Sequence, residues 1–412
     1  MRFTDTLEEA AWRAEVRAFL DKELPEHFRS RSRVADAPFA GYEAGSQSNN
    51  TAPQYGGAGF AQREDAPTAE WRGKLATKGW IAPAWPWEYG GAGLSTMQQF
   101  ILNEEFADAG APPVGGMGVS MAGPTIIAHG TEEQKAEHLP RILRGEAHWC
   151  QGFSEPGAGS DLASLQTRAV RDGDDYVVNG AKIWTSGAHL ANWMFLLART
   201  DRDAPKHRGI SYFLMDFTSP GITVQPLLNM AGGAGFNQVF FDNVRLPAKN
   251  RVGEENRGWY VATTTLDFER SGISRLAAGS RSLALVTEYA TELARKGALP
   301  LWARHGLAQL HIDYQTGRLL AYRVASMQSQ GIVPNYEASI SKTFGTELQQ
   351  RLSTFGVKLL GLYGQLLPGS KRTPLQGKLA HYYLTAVSTT IAAGTSEVNR
   401  NIVATRGLGM PR

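Results

Sequence analysis

The spacing of hydrophobic and polar positions divides the chain into two helical stretches that flank a stretch of short strands. Near the N-terminus, Trp12, Val16 and Leu20 recur at the interval of one helical turn, which predicts an amphipathic helix. Thr6 and Glu9 have the spacing of a capping box, in which each side chain accepts a hydrogen bond from the other residue's backbone. The pattern therefore predicts a helix that begins near residue 6.

Pro25 ends this first helix, because proline cannot continue a helical ladder. Residues 35 to 69 are rich in Gly, Ala, Ser, Gln and Asn and have no period, which predicts a long surface excursion. From Ser95 to Glu146 the helical pattern returns, interrupted by Gly and Pro loops. The N-terminal part is therefore predicted to be mainly helical.

Residues 149 to 246 have the pattern of short strands joined by turns. Asp172-Gly173 lies between two apolar runs and predicts a hairpin, and Asn179-Gly180 predicts the next turn. Strands are predicted again at 182–186 and 210–215. Because no long helical pattern alternates with these strands, the segment is predicted to be an antiparallel β domain rather than a doubly wound one.

After Gly258 the pattern is helical to the end, with long helices predicted within 307–328 and 339–359. The fold class is therefore α+β, mainly α: helices, then a β domain, then a helical bundle. The predicted domains are 1–148 with the surface excursion, 149–250 and 251–412.

Composition excludes several classes of protein. The 412 residues are 42% hydrophobic, enough for large cores, and 42 Lys and Arg against 39 Asp and Glu give a net charge of only +3. That balance argues against nucleic-acid binding. The single cysteine, Cys150, excludes an internal disulfide and a multi-cysteine metal site, and the histidines form no H-E-x-x-H pattern, so no metal is expected. The acidic N-terminus and the lack of a long apolar run favour a cytoplasmic protein without membrane insertion.

The run from Gln151 to Asp161, QGFSEPGAGSD, is the most distinctive motif. Its glycines allow the backbone to approach a flat or anionic ligand, and Ser154 and Ser160 offer hydroxyls. It is neither G-x-G-x-x-G nor a P-loop. An ordinary connection is the alternative, but a loop with this composition is more often functional.

Two further runs carry polar groups that suit a cofactor. Trp184-Thr185-Ser186 places an indole beside two hydroxyls, which could flank a planar cofactor; a core tryptophan is the alternative. Near the C-terminus, AGTSEVNR predicts a glycine turn followed by a helix that Thr395 or Ser396 caps.

Together with WPWEYGGAGL at 85–94, GAKIW at 180–184 and FDNVRLP at 241–247, these runs resemble the acyl-CoA dehydrogenase family, in order and over nearly the whole chain. The resemblance implies an N-terminal helical domain, a middle β domain and a C-terminal four-helix bundle. It also implies FAD, an acyl-CoA substrate, a tetramer built as a dimer of dimers, and an electron-transfer flavoprotein as acceptor.

The resemblance also assigns residues. It implies FAD contacts at Gln151, Phe153, Ser154, Trp184, Thr185, Ser186, Arg295, Lys358, Gly361, Thr395 and Glu397. It implies substrate-side contacts at Ser160, Asp267, Arg270, Ala393 and Gly394, with Ser160 against the pantetheine arm.

The catalytic base has two possible positions in this family. Many members carry a Glu immediately before the C-terminal Gly-Thr-Ser, where this chain has Ala393. Isovaleryl-type and long-chain-type members carry the base before an Arg near the first long C-terminal helix, and the matching residue here is Glu269. Glu269 is therefore the predicted base, and a solvated ion-pair residue is the alternative.

Two substitutions alter the part of the site that would contact the FAD of a neighbouring subunit. Lys358 replaces a Gln, and Leu362 replaces a Gly. Some bacterial members are heterotetramers with half the usual FAD, and this chain could be one subunit of such an assembly, catalytic or non-catalytic. A relative that uses O₂ as an oxidase is the third possibility on the same fold.

Overall fold

The structure, a computed structural model, describes residues 5–30, 65–269 and 273–411, and it leaves the side chains of Ser30 and of residues 266–278 undescribed. The described residues form two compact units. One contains residues 5–30, 94–113 and 273–411, and the other contains residues 65–93 and 114–269. The three domain boundaries given above stay a prediction.

The described helices, in chain order, are α1 (Leu7–Glu23), α2 (Glu26–Ser30), α3 (Ala66–Ala76), α4 (Thr96–Ala109), α5 (Gly123–His129), α6 (Glu132–Leu143), α7 (Gly258–Glu269), α8 (Ile273–Arg295), α9 (Leu301–Ser329), α10 (Tyr336–Leu360), α11 (Lys378–Thr389) and α12 (Ser396–Ile402). The strands are β1 (Trp149–Gly152), β2 (Arg168–Asp172), β3 (Asp175–Lys182), β4 (Trp193–Arg199), β5 (Ile210–Asp216), β6 (Ile222–Leu227), β7 (Phe236–Pro247) and β8 (Arg251–Val252). The predicted order of helices, β domain and helices is confirmed, and with it the fold class.

Helix α1 begins where its capping box predicts. The backbone N–H of Glu9 donates to Thr6 Oγ1 at 3.2 Å, and the N–H of Thr6 donates to Glu9 Oε2 at 2.7 Å. The helix ends at Glu23, two residues before Pro25. Local chemistry alone therefore sets both ends of this helix.

The predicted surface excursion ends earlier than expected. Residues 35–64 lie outside the described residues, but α3 already begins at Ala66. Asp65 accepts a hydrogen bond from the N–H of Thr68 at 2.9 Å, and Pro67 occupies the first turn, where its missing N–H costs no hydrogen bond. The extension of the excursion to residue 69 was therefore wrong.

The long helices of the first unit pack around a leucine-rich core. The stretches 307–328 and 339–359 lie within α9 and α10, as predicted. The buried side chains on these and the neighbouring helices include Leu283, Val286, Leu310, Leu352 and Leu379.

The second unit contains one eight-stranded sheet, in which the order β6-β7-β3-β2-β4-β5-β8 is continuous and β1 pairs with β4. The predicted hairpin around Gly173 is present as β2 and β3. The sheet is mixed rather than antiparallel throughout, because β1 runs parallel to β4 from the pair of Trp149 and Trp193 onward. An antiparallel neighbour follows from a tight turn, whereas β1 reaches β4 after a long excursion that sequence pattern does not constrain.

Asn179-Gly180 is not a turn but lies within β3. Gly180 has φ +147°, and a Cβ there would lie 2.6 Å from Thr167 Oγ1. The strand registers shift between Val178 and Gly180, which marks a β-bulge. Asp242 and Asn243 of β7 oppose the single residue Asn179 there, so the extra residue lies in β7. Gly180 permits the close approach to Thr167, a feature that shares the sequence signature of a turn.

Within the described ranges, no helix combines the length and the apolar composition that a membrane crossing requires.

Candidate active site

The segment that begins at Gln151 is anchored by its apolar residues. A Cβ on Gly152 would lie 2.5 Å from Met194 Sδ, so a larger residue there would require the buried Met194 side chain to move. The buried ring of Phe153 meets Phe195 and Tyr212 edge to face, with ring centroids 5.7 and 6.2 Å away. The half-buried side chains of Gln151 and Ser154 flank this anchor.

A buried ion pair holds the next residues of the loop. Lys182 Nζ donates to the carbonyl oxygen of Phe153 and to Glu155 Oε1, each at 2.9 Å. The same carboxylate accepts the backbone N–H groups of Gln166 and Thr167 at 2.6 and 2.8 Å. Burial lowers the pKa of Lys182, whereas the Lys182 charge and these donors lower the pKa of Glu155 against its own burial. The pair fixes the loop to β3.

The tip of the loop is open. Cβ atoms added at Gly157 or Gly159 would meet nothing within 4 Å, and Ser160 is exposed. Asp161 accepts hydrogen bonds from Ser164 Oγ at 2.5 Å and from Lys206 Nζ at 2.7 Å. Backbone groups at the tip are therefore accessible to a ligand, while Asp161 tethers the end of the loop.

The chain around Trp184 forms a second β-bulge. Lys182 pairs with Val239, and Thr185 exchanges both backbone hydrogen bonds with Asn237, at 2.9 and 3.1 Å. Ile183 and Trp184 thus oppose the single residue Gln238, and Trp184 has φ +59°. The Ile183 N–H instead donates to the Ser154 carbonyl oxygen at 2.9 Å, so this bulge adjoins the Gln151 segment.

The bulge exposes one of its side chains to solvent and is followed by a buried one. The Trp184 indole is 61% exposed and meets Phe236 edge to face, with centroids 6.2 Å apart, so the core alternative for this tryptophan is excluded. Thr185 is buried, and Ser186 is half-buried. An exposed aromatic face thus adjoins a buried hydroxyl.

Three buried polar atoms in this region have no hydrogen-bond partner among the described residues. They are Gln151 Nε2, Thr185 Oγ1 and Asn237 Oδ1. An amide N–H, a hydroxyl and an amide oxygen could together serve a ligand that carries both donors and acceptors. Buried polar atoms usually find partners, so these three indicate where a polar-edged ligand fits.

Cys150 lies beside the Gln151 segment and is fully buried. Burial raises the pKa of its thiol, so the thiolate is disfavoured.

In the other unit, the run around Gly394 forms a strained turn. Ala393 and Gly394 have φ +54° and +83°. The Gly394 carbonyl oxygen accepts from Lys342 Nζ at 2.7 Å and from Asn399 Nδ2 at 2.9 Å. Of the two candidate caps, Thr395 is the one used: its hydroxyl accepts the Val398 N–H at 3.1 Å. The buried ammonium of Lys342 therefore holds this turn.

Glu397, just inside α12, lines an open groove of about 690 Å³. The groove also contains polar side chains of α10, Glu347, Gln350 and Arg351, together with Arg400. Arg400 Nη2 lies 2.6 Å from Glu347 Oε1. The groove is large enough for part of a nucleotide.

The remaining predicted cofactor contacts of this unit lie on its surface. Arg295 is the exposed last residue of α8. Lys358 Nζ lies 4.9 Å from the centroid of the Trp302 ring, a cation–π distance. Gly361 ends α10 with φ +59°, and the Leu362 side chain is 84% exposed.

Glu269 is the last residue of α7, but its side chain and that of Asp267 lie outside the described residues, as does Arg270 entirely. The preceding turn is tethered to α5. Thr265 Oγ1 lies 2.8 Å from Thr125 Oγ1, and Thr264 Oγ1 lies 2.8 Å from His129 Nε2. The backbone that leads to Glu269 is thus held by two hydroxyls.

Sequence reasoning missed three residues that organise these segments: Lys182, Asn237 and Lys342. Lys182 and Lys342 carried a weak signal, since each charge occupies a position that the strand or helix pattern assigns to the interior. Asn237 carried none, because its role comes from a contact 52 residues away in sequence.

Family comparisons cover most of the chain. Models of the acyl-CoA dehydrogenase N-terminal, middle and C-terminal domains match residues 60–146, 150–244 and 256–408. Among curated proteins, acyl-CoA dehydrogenase FadE26 of Mycobacterium tuberculosis is 40% identical over 350 residues, which is 82% of this chain and 87% of that protein.

Two solved structures match this chain over its full length. The "Tcur3481-Tcur3483 steroid ACAD" is 34% identical with a TM-score of 0.82, and each chain is covered completely. The ChsE4-ChsE5 complex from Mycobacterium tuberculosis is 35% identical with a TM-score of 0.79, again over all of both chains.

Proposed function

Because the chain belongs to the acyl-CoA dehydrogenase family of flavoprotein oxidoreductases, we propose that it introduces an α,β double bond into an acyl-CoA thioester and uses bound FAD as the oxidant. The α-hydrogen leaves as a proton, and the β-hydrogen leaves with its electron pair. When bound, FAD supplies the acceptor for that hydride.

One observation carries the proposal: the buried Thr185 hydroxyl has no partner in the described residues, beside the exposed Trp184 ring. The isoalloxazine edge alternates carbonyl oxygens and ring nitrogens, so it can complete hydrogen bonds with the hydroxyl of Thr185 and the amide of Gln151. An indole face suits a planar ring. The residues proposed to hold the flavin end are those of the Gln151 segment and the 184–186 bulge.

Residues of the helical unit are proposed to contact FAD as well. Thr395 to Glu397 are proposed to contact its adenine side, because the groove that contains Glu397 and two arginines is large enough for part of a nucleotide. Arg295, Lys358 and Gly361 are proposed to contact the FAD of a neighbouring subunit. Their exposure on the surface of the unit is compatible with that role.

Glu269 is proposed as the base that takes the α-proton, because Ala393 has no group that can accept one. Ala393 keeps its backbone N–H, which is proposed to donate to the thioester oxygen as negative charge develops there. Lys342 and Asn399 hold the neighbouring Gly394 carbonyl, so this N–H belongs to a restrained turn. Asp267, Arg270 and Gly394 are proposed as substrate-side residues.

The acyl chain is proposed to be bulky and of the steroid or branched type. The support is that a solved relative with full coverage is described as a steroid enzyme and that the base position matches long-chain and isovaleryl types. Ser160, at the open tip of the loop, is proposed to contact the pantetheine arm. An electron-transfer flavoprotein is the proposed acceptor of the electrons.

A heteromeric assembly is the second proposal. Lys358 faces the Trp302 ring, and Leu362 projects from the surface where the family has a glycine. Two solved relatives are complexes of two different chains by name. On this proposal the chain contributes Glu269 and the middle-domain contacts, and a second chain completes the remaining FAD contacts.

The experiment is the visible spectrum of the purified chain, titrated without oxygen with short, long, branched and steroid-type acyl-CoAs. Bleaching of a flavin band by the bulky thioesters is the expected result. A yellow protein that none of them bleaches would refute the dehydrogenase proposal. A colourless chain that turns yellow only with a co-expressed family partner would support the heteromeric one.

A further inference from the structure

The carbonyl oxygen of Thr185 is held twice by the same residue. The backbone N–H of Asn237 donates to it at 3.1 Å, and the side-chain Nδ2 of Asn237 donates to it at 3.0 Å. The N–H of Thr185 donates in return to the Asn237 carbonyl oxygen at 2.9 Å. Three hydrogen bonds thus join two residues that are both buried.

This arrangement fixes the direction of the Thr185 hydroxyl. With both lone pairs of its carbonyl oxygen engaged, the peptide plane after Thr185 cannot rotate without breaking hydrogen bonds. The β-branched side chain has few χ1 choices on a fixed backbone. Thr185 Oγ1 itself has no partner in the described part of the chain, so its direction is set by the backbone alone.

The Asn237 amide is itself oriented by His189. Asn237 Nδ2 lies 3.1 Å from His189 Nδ1, and because an amide N–H₂ can only donate, the imidazole accepts at Nδ1. Burial lowers the pKa of His189, which favours that neutral ring. The same orientation points Nδ2 at the Thr185 carbonyl oxygen and leaves Oδ1 without a partner among the described residues.

We infer that Asn237 is a positioning residue, which acts through Thr185 to aim its hydroxyl at the flavin edge. The inference rests on the proposed function, because that function supplies the flavin. Asn237 lies outside every run that carries the family resemblance, and the register of the bulge brings it to the site.

The test is a double-mutant cycle on FAD affinity and the flavin absorption band. Thr185→Val removes the hydroxyl with little change of shape, and Asn237→Ala removes the amide. Each single variant is expected to weaken FAD binding about 10-fold and to shift the band. If Asn237 acts through Thr185, the double variant is no weaker than about 10-fold, whereas independent roles give about 100-fold. Additive losses would overturn the inference.

Two further variants make the result of the double-mutant cycle interpretable. The matched control is Asn179→Ala on the same sheet, whose side chain bonds Asn243 and which should leave FAD binding and the band unchanged. If Asn237→Ala does not fold, Asn237→Ser replaces it, since serine is too short to reach the Thr185 carbonyl oxygen.

Amide exchange in the FAD-free chain separates this inference from the proposed function. Loss of the Asn237 side chain should speed exchange in the peptide 183–190, and unchanged exchange would contradict the positioning role. Faster exchange in a protein that binds no FAD would leave Asn237 as the residue that holds Thr185 and would refute the proposed function instead.

Discussion

The ammonium group of Lys182 lies 2.9 Å from the Glu155 carboxylate, and both side chains are buried. Burial makes each charge dependent on the other, since neither is compensated by water. The pair also holds the Phe153 carbonyl oxygen and two backbone N–H groups. It therefore connects the loop of the candidate site to the sheet.

Glu155→Ala should destabilise the protein by about 3–5 kcal/mol, because it leaves the buried Lys182 ammonium without its partner. Adding Lys182→Met should recover much of that loss. Urea unfolding measures the free energy of unfolding of both variants. The control is Lys206→Met, which removes the exposed pair with Asp161 and should cost less than about 1 kcal/mol. Equal losses for the buried and exposed pairs would contradict the prediction.

Glu269→Gln should keep bound FAD but slow substrate-driven bleaching of the flavin by about 10²–10⁴-fold, since the amide cannot accept the α-proton. Stopped-flow absorbance under anaerobic conditions measures the rate. Glu288→Gln on the exposed surface of α8 is the matched control and should react like the parent. Full activity in the Glu269→Gln variant would remove Glu269 as the base.

Lys342→Met should raise the KM for the acyl-CoA about 10-fold and leave the flavin band unchanged. The variant removes one of the two side-chain donors to the Gly394 carbonyl oxygen, and Asn399 remains as the other. Steady-state kinetics separate KM from kcat. The exposed Lys371→Met should change neither, and an unchanged KM in Lys342→Met would show that the turn does not need this ammonium.

His138 should make the unfolding free energy depend on pH. Its ring lies edge to face with Trp193, with centroids 4.5 Å apart, and burial lowers its pKa to about 4. The unfolded chain binds this proton near pH 6.5, so the stability present above that pH is lost as pH falls towards 4, by about 3 kcal/mol. His138→Phe should flatten the curve over this window, and the exposed His305→Phe should not. If the unfolding free energies of His138→Phe and the parent fell in parallel with pH, His138 would not be the cause of the pH dependence.

Lys358→Gln combined with Leu362→Gly should raise the FAD bound per chain when the protein is expressed alone. The change releases the contact with Trp302 and removes the exposed leucine from a position where the family has glycine. Absorbance against protein concentration measures the ratio. Leu367→Gly, at another exposed leucine, is the control. An unchanged ratio would argue against a defective half-site.

Local chemistry made much of the fold predictable. The capping box of Thr6 and Glu9 and the stop before Pro25 act within one turn of helix, so the sequence contains the whole cause. The hairpin at Gly173 is equally local. The turn predicted at Asn179-Gly180 was wrong, because a glycine beside an asparagine has the same signature whether the chain reverses or only lies close to a neighbouring residue.

The candidate site was predictable in its motifs but not in its supports. The Gln151, Trp184 and Gly394 runs were identified from residue type and resemblance. The contacts that orient them, from Lys182, Asn237 and Lys342, join residues 27, 52 and 52 positions apart. Such pairings depend on strand register and helix packing, which no local pattern specifies.

The bulge at Ile183 and Trp184 makes the candidate site sensitive to the length of the chain as well as to its residue types. Deleting Ile183 or Trp184 would restore a regular ladder in which Thr185 still opposes Asn237. The left-handed backbone that now exposes the Trp184 ring would be lost with the extra residue. Substitution scans preserve length, so they would not detect this dependence. In this part of the sheet, a one-residue deletion is the more severe genetic lesion.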